Sequence, residues 1–97
     1  MSPPIRRLVL DVMKPQDPDI LEIATTAGDC PGIDAVNVVL VETDREVQNL
    51  KLTIEGEDID ADALETAITD LGGTVHSIDQ AVCGKRLVEQ IGTPQDR

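Results

Sequence analysis

Two consecutive runs of residues constrain the fold most, because together they have the pattern of a β-hairpin. The first run, Val36 to Val41, carries apolar residues on both faces of a strand. The second run, Val47 to Glu55, alternates leucine and isoleucine with polar residues, which is the period of a half-buried strand. The acidic turn 42–46 separates them. An edge strand facing solvent does not need two apolar faces, so the pattern predicts a central hairpin covered by its flanking segments.

Two helices and two further strands are predicted around the hairpin. In two segments apolar residues recur every three or four positions before a terminating glycine. Pro18–Asp19 opens the first segment with early acidic charge, which suits the positive end of a helix, and Asp60 is suited to the N-cap of the second. Two others have the composition and alternation of strands. These predicted elements are a strand over Ile5–Lys14, a helix from Asp19 to Gly28, a helix between Asp60 and Gly72, and a strand over Thr74–Val82.

The resulting order, β-α-β-β-α-β, predicts an α+β fold, the ferredoxin-like split βαβ sandwich. Right-handed crossovers place both helices on one face of a four-stranded antiparallel sheet with strand order 4-1-3-2, and leave the other face bare. The 97 residues suffice for a single domain. We expect its core over about residues 5–84 and a C-terminal tail over 85–97, with a short helical turn in 85–91.

Composition narrows the possible partners. Nineteen acidic residues against eight basic ones give a net charge of −11, and twelve of the acidic residues are aspartate. Such a polyanion repels nucleic acid and anionic lipid. The acidic surface is typical of a protein from a halophilic archaeon, and without a signal or membrane-spanning segment a soluble, cytoplasmic protein is expected. Because the chain contains no Phe, Trp or Tyr, its small aliphatic core favours self-association.

Several blocks of the sequence resemble the archaeal domain-of-unknown-function family 211, over about residues 5 to 84. The resemblance implies a ferredoxin-like fold and ring-like homo-oligomers, and it implies no established activity. Cys30 and Cys83 are not part of the matching pattern. The matching blocks are Ile5–Val12 with Lys14–Pro15, Val36–Val38 with Glu42–Asp44, Thr53–Gly56, and Leu71–Gly73 with His76–Asp79.

Five carboxylates are candidate metal ligands, because Ca²⁺ and Mg²⁺ prefer oxygen donors. They are Glu42, Asp44 and Glu46 in the hairpin turn, Glu55 on the returning strand, and Asp11. No EF-hand spacing is present, and a solvated acidic turn is the alternative interpretation.

Asp11 interrupts an apolar strand on the face away from the helices, where its carboxylate needs water, a cation or a donor from a neighbouring subunit. Lys51 is expected on the same face of the adjacent strand. A cross-strand ion pair between Asp11 and Lys51 is therefore the simpler alternative to a metal site.

The sequence contains no arrangement typical of an enzyme. The single histidine, His76, lacks a nucleophile elbow or a phosphate loop nearby, and a packing or interface role is expected for it. Cys30 and Cys83 are predicted at opposite edges of the sheet, about 14 Å apart by strand spacing, which disfavours an intrachain disulfide. Two free thiols are expected, and contact between subunits stays open.

Two functional hypotheses follow. The first is a non-enzymatic homo-oligomer that buries Val9, Val39 and Val41 between subunits and binds a metal ion, such as Ca²⁺ or Mg²⁺, or a small effector there. The second is a divalent-cation binding protein whose ligands come from the acidic hairpin turn. An enzyme is the least supported alternative, because the sequence shows no nucleophile–base pair, phosphate loop or His/Cys cluster, and fold alone does not determine activity.

Overall fold

A computed structural model describes residues 2–88 and contains four strands and two helices in the predicted order. The helices are short and the strands are long, with ten or eleven residues each. The elements are β1 (Ile5–Pro15), α1 (Ile20–Gly28), β2 (Ile33–Thr43), β3 (Val47–Gly56), α2 (Ala61–Asp70) and β4 (Thr74–Cys83).

The four strands form one antiparallel sheet with spatial order β2-β3-β1-β4, which is the predicted order 4-1-3-2 counted from the other edge. The ferredoxin-like α+β prediction is thereby confirmed. The expectation of a central, covered hairpin is wrong for its first strand. β2 lies at an edge, and eight of its eleven residues are exposed. The alternation within a strand tells which residues share a face, but it does not tell how many neighbours the strand has.

Both helices begin where the aspartates predict. The carboxylate of Asp19 accepts a hydrogen bond from the backbone N–H of Glu22 at 3.0 Å, and Asp60 accepts one from Ala63 at 3.0 Å. Each bond satisfies a backbone donor that has no partner inside the first helical turn. No helix of the described residues has the length and apolar character needed to cross a membrane.

The core lies between the helices and one face of the sheet. Even-numbered residues of β1 and β3 point into it, and the odd-numbered residues form the opposite, helix-free face. Because no aromatic side chain is available, the core consists of aliphatic residues in close contact. Its buried members are Leu8, Leu10, Val12, Ile23, Ala27, Leu50, Leu52, Ile54, Ile59, Leu64 and Ile68.

Two glycines allow three backbone segments to cross at one end of the sheet. Gly32 has a φ of +81°, and a Cβ there would lie 1.8 Å from the carbonyl oxygen of Asp58. A Cβ on Gly56 would lie 1.9 Å from the carbonyl oxygen of Gly32. Both distances are far shorter than any van der Waals contact, so only hydrogen fits at these two positions.

The chain after β4 stays close to the start of β1. The backbone N–H of Gly84 donates to the carbonyl of Pro4 at 2.8 Å, and the Arg6 guanidinium donates to the carbonyl of Lys85 at 2.6 Å. The predicted short helix over 85–91 is not seen in 85–88, and the rest of that segment lies outside the described residues.

Candidate functional site

The helix-free face carries ordered ion pairs, although not the one predicted. Asp11 and Lys51 lie directly opposite each other in the β1–β3 register. The Lys51 ammonium nevertheless lies 3.7 Å from the Asp79 carboxylate on β4. The prediction that Lys51 pairs with Asp11 is therefore wrong, because Lys51 pairs with Asp79. The Ser77 hydroxyl donates to the same Asp79 carboxylate at 2.8 Å. The side chain of Lys51 on β3 thus crosses over β1 to reach β4, and the half-buried Asp11 lies on β1 between them.

A second ion pair lies at the other end of this face. The Arg7 guanidinium donates to the Glu55 carboxylate at 2.6 Å and 2.8 Å through two of its nitrogens. Charge-assisted bonds of this kind are stronger than neutral ones. Glu55 therefore has a protein partner that already occupies one of its oxygens.

The acidic hairpin turn is organised by Asp44. One of its carboxylate oxygens accepts hydrogen bonds from the backbone N–H groups of Glu46 at 2.9 Å and Val47 at 2.8 Å. These two donors lower the pKa of Asp44, because they stabilise the ionised carboxylate. Asp44 thus has a structural role in closing the turn, while Glu42 and Glu46 point into solvent.

The five predicted metal ligands do not converge. The structure places Glu42, Asp44 and Glu46 at the hairpin turn, Asp11 in the middle of the helix-free face, and Glu55 at its far end beside Arg7. Among residues 2–88, no group of three or more His, Cys, Asp or Glu side chains is arranged to hold a metal ion. A cation site formed by these five carboxylates stays a prediction, and residues 2–88 of a single chain do not bring the five together.

Both cysteines are free thiols, as expected, and their surroundings differ. The Cys30 sulfur lies between the two helices, 3.6 Å from the carbonyl of Thr26 and 3.9 Å from that of Ala63. Burial, followed by the nearby carboxylates of Asp29 and Asp60, raises the pKa of the Cys30 thiol. Cys83 is exposed at the end of β4.

The lone histidine, His76, is exposed on β4. The neighbouring Ser77 hydroxyl donates to Asp79, and none of the hydrogen bonds found within residues 2–88 joins His76 to that pair. Without such a bond, these three side chains do not form a hydrogen-bonded serine–histidine–carboxylate arrangement within residues 2–88. The absence of an enzymatic activity stays a prediction.

The most unusual surface is the edge formed by β2. Val39, Leu40 and Val41 are 50%, 40% and 61% exposed, and they cover both faces of the strand. The outer backbone groups of an edge strand are also free to pair with another strand. A long apolar edge of this kind is a place where a second strand adds.

Lys14 is a buried cation that the sequence analysis did not single out. Its side chain is 1% exposed, and its ammonium donates to the backbone carbonyls of Pro15 (2.9 Å), Gln16 (3.2 Å) and Pro18. The signal was present in the alternation of β1, since Lys14 shares the parity of Leu10 and the other core residues. All three protons of the ammonium therefore have acceptors within the loop that leads into α1.

The fold and its surfaces define a small ferredoxin-like α+β protein with an open apolar edge and an ion-paired, helix-free sheet face. Comparison with known families extends this assignment. The family model of DUF211, described as uncharacterized ArCR, matches residues 6–97. The chain is also 47% identical over 93 residues to the uncharacterized protein MJ0319 of Methanocaldococcus jannaschii, covering 96% of each chain. This chain belongs to the DUF211 family, and the predicted resemblance is confirmed.

Proposed function

We propose that this protein works as a non-enzymatic homo-oligomer, assembled through the open edge of its sheet. The exposed apolar stretch of β2 carries the proposal, because it presents hydrophobic side chains and unpaired backbone groups on one surface. An edge of this length would be a hazard for an isolated chain. Pairing with a second copy removes the hazard and satisfies the backbone.

Burial of this surface would contribute favourably to association. Val39, Leu40 and Val41 are each about half exposed, so burying each contributes roughly 1 kcal/mol, and the strand pairing adds backbone hydrogen bonds. The net charge of −11 per chain opposes association at low ionic strength, and salt screens that repulsion. Assembly should therefore strengthen as KCl rises, which fits the halophilic interpretation of the acidic surface.

A ligand of the assembly, in this proposal, is a divalent cation such as Ca²⁺ or Mg²⁺, or a small effector, held between subunits. Within residues 2–88 the candidate carboxylates of one chain are dispersed over the hairpin turn and the helix-free face, so we place the cation site where oxygens of two chains meet. The turn residues Glu42 and Glu46 are exposed and free to contribute.

The test is the molar mass in solution, measured by size-exclusion chromatography with light scattering at high and low KCl, with and without Ca²⁺. Concentration must be followed by refractive index, since the chain has no Trp or Tyr. We expect a closed oligomer in high KCl. A monodisperse monomer in every condition would overturn the proposal, and an oligomer indifferent to Ca²⁺ would remove the divalent cation from it.

Substitutions separate the edge from other apolar surface. Val39→Lys and Val41→Lys place charges on the exposed edge and should shift the mass toward the monomer without unfolding the chain. Leu21→Lys is the control for added charge, because Leu21 is 69% exposed and lies on α1 rather than on β2, and this variant should keep the oligomer. Equal dissociation by all three substitutions would contradict a role for β2.

A further inference from the structure

An apolar groove lies open beside the second edge of the sheet, between α2 and β4. Its lining is mainly apolar, from Leu8, Leu10, Leu64, Val75 and Ile78, while α2 also contributes Asp62 and Glu65, and its volume is about 180 Å³. Ile78 is 62% exposed although it lies beside the buried Leu10 in the sheet register. Residues 2–88 thus leave this part of the core uncovered.

We infer that this groove and the β4 edge receive β2 of a second copy, so that the oligomer is built head to tail. The inference rests on the proposed self-assembly and adds which two surfaces meet. Strand directions support it. β2 runs antiparallel to β3, β3 to β1, and β1 to β4, so β2 of an added copy continues the sheet beside β4 in antiparallel orientation with both helix layers on the same side.

The side chains that this arrangement brings to the groove are apolar. Val38 and Leu40 lie opposite the buried Leu52 and Leu50, and so they point to the face of the sheet that carries the helices. In the continued sheet they lie on the same face as Ile78 of the neighbour. Leu40, which is 40% exposed in the single chain, then covers the open side of the groove. In this arrangement the second copy supplies a residue that covers the side of the groove left open by residues 2–88.

Charge favours the head-to-tail arrangement over pairing of two β2 strands. An antiparallel pair of β2 strands centred on Val38 sets Asp34 of each copy opposite Glu42 of the other, and like charges in facing positions are destabilising. Pairing of β2 with β4 instead brings the Asp34 end of one copy toward Lys85 and Arg86, which follow β4 in the other. Opposite charges meet there.

A head-to-tail contact has a structural consequence that a two-fold contact lacks. Each copy uses β2 in one contact and β4 in another, so the assembly adds subunits until it closes into a ring or extends as a filament.

Disulfide trapping in the full-length chain tests the pairing directly. The native Cys83 is exposed at the end of β4, and antiparallel pairing places it near the beginning of a neighbouring β2. We would introduce Ala35→Cys in a Cys30→Ser background and oxidise the protein in high KCl. Each chain then has one thiol at each edge. Head-to-tail pairing predicts a ladder of trimers and larger products on a non-reducing gel.

The matched control is Thr43→Cys in the same background, at the other end of β2. It lies about 26 Å from position 35 along an extended strand, beyond the reach of a disulfide, and should give no ladder. Ile78→Lys should reduce the oligomer as strongly as Val39→Lys does.

The outcomes separate the two proposals. An oligomer by light scattering that gives only cross-linked dimers, or no cross-link at position 35, overturns the head-to-tail pairing and leaves self-assembly intact. A monomer by light scattering overturns both.

Discussion

Replacing the buried Lys14 by methionine tests how backbone carbonyls hold a buried cation inside this protein. The side chain of Met has a similar length and fills the same space, but it donates no hydrogen bond. Lys14→Met therefore leaves the carbonyls of Pro15, Gln16 and Pro18 without the ammonium that they now share.

The expected cost follows from two opposing contributions. A hydrogen bond from a charged donor stabilises a protein by about 1.5–3 kcal/mol, and three such bonds are lost. Against this, burial of an ammonium costs several kcal/mol, which methionine avoids. We expect a net loss of about 3 kcal/mol in the free energy of unfolding. For a chain of this length that corresponds to a decrease in Tm of roughly 15 °C.

Urea unfolding in high KCl measures this change. Far-UV circular dichroism is the suitable signal, because the chain has no Trp or Tyr to report by fluorescence. All variants must be compared at one protein concentration, since association couples stability to concentration. Lys51→Met is the matched control, because the exposed Lys51–Asp79 pair at 3.7 Å should contribute less than about 1 kcal/mol.

A Lys14→Met protein within about 0.5 kcal/mol of the wild type would refute the reasoning, taking surface-like substitutions as the scale. It would mean that the desolvation of the ammonium cancels its three hydrogen bonds. A stabilised variant would mean that desolvation is the larger contribution.

Three further predictions concern the caps, the turn and the thiols. Asp60→Ala should lower the stability by about 1 kcal/mol in urea unfolding, because the N–H of Ala63 loses its acceptor, and an unchanged midpoint would contradict this. The lowered pKa of Asp44 adds stability that is fully present above its unfolded pKa of about 3.9 and is lost as the pH falls through the folded pKa. The urea midpoints of the wild type and Asp44→Asn should therefore differ at neutral pH and converge in acid. Midpoint differences that persist in acid would contradict it. Iodoacetamide at mildly alkaline pH should modify Cys83 before Cys30, whose thiol is partly buried with a raised pKa, and the reverse order, observed by peptide mass spectrometry, would refute the assignment.

The sequence predicted the elements and their order because the relevant signals are local. Aspartates mark the helix starts, glycines mark the ends, and alternation separates the two faces of β1 and β3. The predicted strand order placed β2 at an edge, whereas its apolar run predicted a covered strand, because such a run has the same pattern in an edge strand and in a strand with two neighbours.

The sequence predicted the face on which Asp11 lies, but it did not predict the contacts of the charged side chains there. Asp11 lies on the helix-free face as expected, but the irregular pairing of β4 with β1 includes register shifts that bring Asp79 within reach of Lys51. No local pattern reports such a shift. Likewise the sequence showed that the turn carries carboxylate oxygens. It could not show that two backbone N–H groups donate to Asp44, because only the folded turn brings them together.

The crossing at Gly32 and Gly56 restricts how the gene for such a protein can change. A side chain at either position collides with a backbone carbonyl, which cannot rotate away as a side chain can. The positions are also linked, because a shift of the Gly32 carbonyl to admit a residue at position 56 moves the segment that already touches Asp58. A single substitution at either position is therefore expected to prevent the chain from folding along this backbone path. Among DUF211 proteins that keep this backbone path, both positions should therefore be glycine, and a relative that lacks one should differ there in the length of the loop.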